Sequence, residues 1–359
     1  MKIIHTGDLH LGSAMKNLPP EKAALRKAEI LEGFKNLALY ARNNGVRAVL
    51  IAGDLFDENK VSRALKNEVF SIIATADPVA FFYVSGNHDD EFAPDDLLPK
   101  NLYTFTQYHG WGTYDLSENI TVSGMDAKFM DAEKLSSLSL KRSAFNIVML
   151  HGEIAKEKEG RGICLSKLQG RHINYLALGH IHKPTQKAEK LDSRGYYRYC
   201  GCLEGRGFDE CGPRGFFLLD IQNGELVSEA FLSLAKRMVC EARADISYCN
   251  TYYDVERAVA QSLSSMPKQN IVKVTLCGKY RAGLKKDIAL LTQRLNEAFF
   301  FAKVEDESSL HIDYTEYQND LSERGEFVRE VGKCSLNEDL KAEILDVGLK
   351  ALAGEEIDL

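Results

Sequence analysis

The 359-residue sequence has no apolar run near the ~18 residues that a membrane-spanning helix needs. "VAFFYV" and "AFFFA" are strand-sized pieces. It has no leader-like start either. "MKIIHTGDLHLG" sets Asp8 and two histidines where a signal peptide needs unbroken apolar residues, so a cytoplasmic protein with no membrane attachment is expected. Its eight cysteines include one close-set pair, Cys200 and Cys202, with no second pair at zinc-finger spacing, and they read as free thiols. Nor is there an excess of positive charge. The net charge is −7, made of −2 over 1–235 and −5 over 236–359, so neither half has the basic balance of a typical nucleic-acid-binding domain. A polyanionic substrate would need bound cations or local patches to reverse that field. Internal repeats and low-complexity segments are absent.

What is present is ordinary globular composition, 45% hydrophobic and 27% charged, at a length suited to one large domain plus a smaller one. Residues 1–235 alternate strands with helices, the mark of a layered α/β domain. Strand candidates are "KIIHTG", "AVLIAG", "AFFYVSG", "NIVMLHG" and "YLALG". Leu25, Ile30, Phe34, Leu37 and Ala41 recur at helical spacing before Asn44-Gly45, and Ser62 is placed to cap a helix carrying Leu65, Val69 and Ile72 or Ile73. From Lys236 the pattern becomes helix (255–266), strand (271–277), helix (284–299), strand (300–305), a smaller α/β domain over 236–312. A helical C-terminal tail follows over 313–359, with Ser335 and Glu338 as a capping box.

Chemistry collects where the five strands end. They run into "GDLH" (Asp8, His10), "GDLFD" (Asp54, Asp57), "GNHDD" (Asn87, His88, Asp89), "HGE" (His151, Glu153) and "GHIH" (His180, His182). In open α/β sheets the ligand crevice lies at the carboxyl ends of the strands. If the chain stays extended after Gly179, its period of two points His180 and His182 the same way and turns Ile181 back towards the core. Asp, His and Asn supply hard oxygen and borderline nitrogen donors, suited to Mn²⁺, Fe²⁺ or Zn²⁺. Asp8, His10, Asp54, Asn87, His151, His180 and His182 are too many for one ion and suffice for two if one carboxylate bridges. Such a pair can clamp a phosphate, lower the pKa of a water and stabilise the charge of an in-line displacement.

This series of motifs resembles the calcineurin-like metallophosphoesterase superfamily, and within it the SbcD-type DNA-repair exonuclease subunits. "IIHTGDLHLG", "YLALGHIHKP" and "YCGCLEGRGFDECGPRGFFLLDI" carry the finer likeness, with Cys200-Gly201-Cys202 where Pro-Gly-Ser is usual. The resemblance implies a β-sandwich flanked by helices, a capping domain and two divalent ions, with Mn²⁺ the leading candidate. It assigns Asp8, His10 and His182 to one ion, Asn87, His151 and His180 to the other, and Asp54 to both. His88 would protonate the leaving oxygen or stabilise the transition state, aligned by Asp57. The implied partners are DNA and an SMC-like coiled-coil ATPase of the SbcC type, the tail being a candidate contact, with a homodimer left open.

Some residues stay open between two readings. Asp89, Asp90 and Glu153 could orient ligands or sit in solvated turns. Lys156, Lys158, Arg161, Lys183 and Arg206 near the motifs, and Lys279, Arg281, Lys285 and Lys286 in the second domain, are candidate contacts to a phosphate backbone, or members of a solvated face with interleaved acids. His5, His109, His172 and His311 read as ordinary packed or surface histidines. Two other functions use the same residues or the same chain: hydrolysis of nucleotides or other phosphoesters, and an interaction subunit that holds the ATPase.

Overall fold

The computed structural model describes residues 1–57, 61–89, 92–93, 96–155, 162–281 and 283–354. The chain divides into two compact units, Met1–Met238 and Val239–Leu359. Unit 1 begins with β1 (Lys2–Thr6), α1 (Pro20–Asn43), β2 (Val46–Ala52), α2 (Arg63–Thr75), β3 (Ala80–Val84) and β4 (Leu102–Thr104). It continues with β5 (Gly112–Ser117), β6 (Ile120–Gly124), α3 (Ala132–Ser136), β7 (Phe145–His151), α4 (Leu165–Leu168) and β8 (Tyr175–Gly179). It closes with β9 (Glu189–Lys190), β10 (Tyr196–Tyr199), β11 (Phe216–Gln222) and β12 (Glu225–Leu232).

Two six-stranded sheets result, in the orders β12-β11-β1-β2-β3-β4 and β5-β6-β7-β8-β10-β9. Strands β1 to β4 pair in parallel, as do β6, β7, β8 and β10. The strands read as unbroken apolar runs because both faces of each are buried. Along β2, Ala48 and Leu50 enter a cluster with Ile147 and Met149 of the other sheet, while Val49 and Ile51 join Phe34, Leu37 and Ile73 of the helices. Along β8, Tyr175 and Ala177 face the first sheet, and Leu176 and Leu178 pack with Leu135 of α3 and Leu168 of α4. The layers are therefore helix, sheet, sheet, helix, as the resemblance implied. Each such aliphatic side chain contributes roughly 1.5–3 kcal/mol on burial. Helix α1 buries Ile30, Phe34, Leu37 and Ala41, but Leu25 is exposed, the stripe having shifted to Ala23 and Arg26. Ser62 caps α2, its Oγ accepting from Leu65 N–H at 3.2 Å.

Unit 2 contains β13 (Val239–Asp245), α5 (Tyr252–Ser262), β14 (Ile271–Cys277), β15 (Lys279–Arg281), α6 (Ile288–Ala298), β16 (Phe301–Asp306), β17 (Ser309–His311), α7 (Glu323–Lys333) and α8 (Glu338–Leu352). A parallel sheet, β13-β14-β16, carries the core, and β15 pairs with β17. Residues 313–359 include α7 and α8, whose Val328, Val331, Leu345 and Leu349 are buried with Val274 and Leu276. The cap of α8 differs from the Ser335–Glu338 reading. Cys334 ends α7, Ser335 and Leu336 link the helices, and Asn337 accepts from Leu340 N–H at 2.8 Å. A link this short leaves only the residue next to the helix in capping reach. Among the described residues, no helix is long and apolar enough to cross a membrane.

Candidate metal centre

Parallel pairing brings the loops after β1 and β2 side by side. Asp8 N–H donates to Gly53 O and His10 N–H to Asp54 O, both at 3.0 Å. The second sheet meets them directly: His151 Nδ1 lies 2.9 Å from Ala52 O, and His180 N–H donates to Asp8 Oδ1 at 2.8 Å. Such closeness needs glycine. A Cβ on Gly53 would sit 2.2 Å from His151 Nδ1, and one on Gly179 would sit 1.8 Å from Ala52 O. Four of the seven candidate ligands adopt positive φ: Asp8 (48°), His10 (45°), Asp54 (48°) and His180 (102°). Left-handed non-glycine backbone costs about 1–3 kcal/mol per residue and clusters at functional sites. The extended-chain argument for His180 and His182 therefore does not hold, because β8 ends at Gly179 and the chain turns at His180. Ile181 nevertheless packs on the cluster behind the second sheet.

The seven residues come together in two groups that share Asp54. In the first, His10 Nε2 lies 3.1 Å from His182 Nε2 and 3.6 Å from Asp54 Oδ2, and donor atoms of Asp8, His10 and His182 fall within 4.8 Å of one another. In the second, Asn87 Oδ1 lies 2.9 Å from His151 Nε2 and 3.1 Å from His180 Nδ1, and His151 Nε2 lies 3.3 Å from Asp54 Oδ2. Behind the first group stand two carboxylates. Asp57 Oδ1 is 2.8 Å from His10 Nδ1, and Glu210 Oε1 is 2.7 Å from His182 Nδ1. Arg206 reaches both, donating to Asp57 Oδ1 at 2.9 Å and Glu210 Oε1 at 2.8 Å.

The electrostatics record a site that draws in positive charge. Burial pushes Asp8 up to about 7. Burial also opposes ionisation of Asp54, yet the His151 hydrogen bond holds it at about 2. His10 holds Asp57 at about 2 against the penalty of its partial burial. Burial disfavours charged His151 and His182, but Asp54 and Glu210 respectively raise them above the ordinary imidazole value. Glu210 itself is held far below the usual carboxylate range, because His182 and Arg206 outweigh its burial.

These contacts test whether divalent ions fit. With Nδ1 of His10 and His182 turned to carboxylates, and Nδ1 of His151 donating to Ala52 O, the Nε2 atoms face one another, Asn87 Oδ1 and Asp54 Oδ2. Acceptor then meets acceptor, and a proton or a cation must lie between them. Oxygen and imidazole donors in this mixture fit Mn²⁺, Fe²⁺ or Zn²⁺. Asp8, His10, Asp54 and His182 would hold one ion, and Asp54, Asn87, His151 and His180 the other.

The remaining candidates lie as follows. His88 is exposed, its N–H donates to Asp54 Oδ1 at 3.0 Å, and its ring centroid is 5.1 Å from that of His10. Asp57 makes its short contacts to His10, Arg206 and Ser13, with a donor atom of His88 within 4.8 Å. Lys183 is exposed beside His182, whereas Arg206 is engaged by its two carboxylates. Lys279 and Arg281 are exposed on β15 of unit 2. Arg161, Asp90, Lys156 and Lys158 lie outside the described residues. Asp89 proves to be a brace, accepting from Phe56 N–H and Gly86 N–H at 2.9 Å each, which ties the Gly-Asp loop to the Gly-Asn-His loop. Glu153 is exposed. Glu210 was not singled out from the sequence. It follows Asp209 in a glycine-rich stretch, and only the fold shows that the second acid is buried while the first is exposed.

Comparison with known proteins agrees with this geometry. The chain is 26% identical over 248 residues to an uncharacterised metallophosphoesterase, YhaO, of Bacillus subtilis, covering 64% of this chain and 59% of that one. It is 26% identical over 272 residues to one of the subunits of the nuclease SbcCD of Staphylococcus epidermidis, covering 65% and 70%. It is 27% identical over 257 residues to the DNA double-strand break repair protein Mre11 of Sulfolobus acidocaldarius, covering 65% and 64%. Two of these three relatives are thus matched over less than two thirds of their length. The calcineurin-like phosphoesterase family matches residues 1–184, from the first strand through both histidines of "GHIH". On that match, over half of its length, the chain is a member of the calcineurin-like phosphoesterase family.

Proposed function

We propose that the chain is a two-metal-dependent DNA phosphodiesterase, the nuclease subunit of an SbcCD-like complex acting in DNA repair. The observation that carries the reading is the convergence of seven acceptors in two groups around Asp54. Its family binds two divalent ions, and the names of two relatives, one a nuclease subunit and the other a DNA double-strand break repair protein, support DNA as the substrate. When bound, the ions, Mn²⁺ first among the candidates, would supply Lewis-acid charge and a water of lowered pKa. The protein's own share is positional. Asp57 and Glu210 fix which nitrogen His10 and His182 present, Asp54 joins the two groups, and Asp8 is held by the His180 N–H. His88, exposed beside His10, would give its imidazole proton to the departing 3′ oxygen. Exposed Lys183 would meet the phosphate backbone. An SMC-like ATPase would bind α8, where Leu340, Val347 and Leu352 are exposed.

Metal-stripped protein resupplied with Mn²⁺, Mg²⁺, Zn²⁺ or Fe²⁺ tests this on single- and double-stranded DNA and on bis-p-nitrophenyl phosphate. Hydrolysis of DNA with Mn²⁺ is expected, and His88→Ala should keep its metal while turnover falls about 10²–10⁴-fold. A smaller phosphoester is the second reading. The engagement of Arg206 favours it, because it removes a cation otherwise available to DNA. Turnover of the small ester without turnover of DNA would select it. No hydrolysis with any metal would overturn both and favour the interaction subunit.

A further inference from the structure

We infer that Glu210 is a positioning residue that makes the two metal positions unequal, so that the position built on His10 and His182 fills first. The inference rests on the two-metal reading. Both imidazoles of that position turn Nδ1 to a carboxylate, His10 to Asp57 at 2.8 Å and His182 to Glu210 at 2.7 Å. At the other position, His151 Nδ1 donates to the neutral carbonyl of Ala52 at 2.9 Å, its nearest carboxylate oxygen being Asp8 Oδ1 at 3.8 Å, and His180 turns Nδ1 towards Asn87. A carboxylate behind a ligating histidine fixes its ring and raises its basicity, and losing one typically lowers metal affinity 10–100-fold.

Glu210 is built for this role. It is 2% exposed, and its second oxygen accepts from Arg206 N–H at 2.6 Å, so the carboxylate cannot swing away from His182. The Arg206 guanidinium binds Glu210 and Asp57 together, which fixes the backs of both imidazoles in one frame. This offsets the repulsion between two carboxylates that would otherwise face each other unpaired. Net charge points the same way, since two carboxylates against one guanidinium leave a negative surplus behind the first position, whereas the carboxylate nearest His151 Nδ1, Asp8 at 3.8 Å, is itself a ligand of that first position in this reading.

Titration of the metal-stripped full-length chain with Mn²⁺, followed by calorimetry, reads the two positions separately. Two steps of unequal affinity are expected. Glu210→Ala should weaken the tighter step about 10–100-fold and leave the weaker one unchanged. Glu210→Gln, which keeps an acceptor oxygen without the charge, should fall between Glu210→Ala and the unsubstituted chain. Thermal melting of the metal-free variants checks the fold, and if Glu210→Ala does not fold, Glu210→Gln decides alone. An unchanged tighter step, or equal weakening of both steps, overturns the inference. Uptake of fewer than two Mn²⁺ by the unsubstituted chain overturns the two-metal reading itself.

Discussion

Units 1 and 2 bury different kinds of surface. Among the described residues, unit 1 buries twelve Asp, Glu, His or Arg side chains, from His5 to Arg214, and unit 2 buries none of these. Unit 2 is an apolar core of aliphatic residues from β14, β16 and its helices. A buried charge without a partner is expensive, so its presence calls for a reason. In unit 1 the reasons are two. Some buried charges hold the fold, and others sit in the candidate metal centre at a cost to stability.

Asp8 belongs to the second kind. Its pKa of about 7 in the folded chain lies above its ordinary value of 3.8, because burial disfavours the carboxylate. The unfolded chain therefore loses this proton first, and stability falls as pH rises from about 4 to about 7. Asp8→Asn does not titrate. Without metal it should melt higher than the unsubstituted chain at pH 8, by up to roughly 4 kcal/mol, with the gap closing towards pH 4. The same variant should lose hydrolysis by at least ~10²-fold. Melting in chelator at both pH values, paired with turnover of the small ester, checks both halves. A variant that melts lower at pH 8 would remove Asp8 from this class.

Arg26 is the opposite case. Its guanidinium is fully buried, 2.6 Å from Glu204, 3.2 Å from Glu29 and 2.9 Å from Gly205 O. Arg26→Leu leaves two buried carboxylates short of a partner and should cost about 3–5 kcal/mol in denaturant unfolding. In unit 2 the comparable lesion is apolar. Leu276→Ala on β14 should cost about 2–5 kcal/mol through its cavity and leave the Mn²⁺ uptake proposed for unit 1 intact. Lost Mn²⁺ binding in that variant would break the division drawn between the units.

The same division explains what could be read from the sequence. Apolar runs of both units were legible, since a strand buried on two faces shows a continuous hydrophobic signal, as "AVLIAG" and "YLALG" do. The metal-competent residues were legible too, because each directly follows such a run. Less visible was everything that depends on a long-range fold. The spacing of His180 and His182 suggested an extended chain, but a positive φ at His180 aims the ring. The resemblance makes Asp57 a partner of His88, while in the fold its short contacts run to His10, Arg206 and Ser13. Arg206 looks available to substrate in the sequence, which shows its charge but not Glu210, four residues on, folding back to bind it.

The smallest effect separates two local readings at the start of α8. A Ser-x-x-Glu pattern favours Ser335 as the cap, whereas the fold gives that role to Asn337, whose side chain accepts from Leu340 N–H. An N-cap side chain satisfies one of the free N–H groups of the first turn, and its removal costs about 1 kcal/mol. Asn337→Ala should therefore lower the stability of unit 2 by about 1 kcal/mol, because α8 carries the buried Leu345 and Leu349. Ser335→Ala, at an exposed position in the link, should stay within about 0.5 kcal/mol of the unsubstituted chain. Urea unfolding followed by far-ultraviolet circular dichroism resolves a difference of this size. A larger loss for Ser335→Ala than for Asn337→Ala would move the start of the helix back towards the boundary that the Ser335–Glu338 pattern suggests.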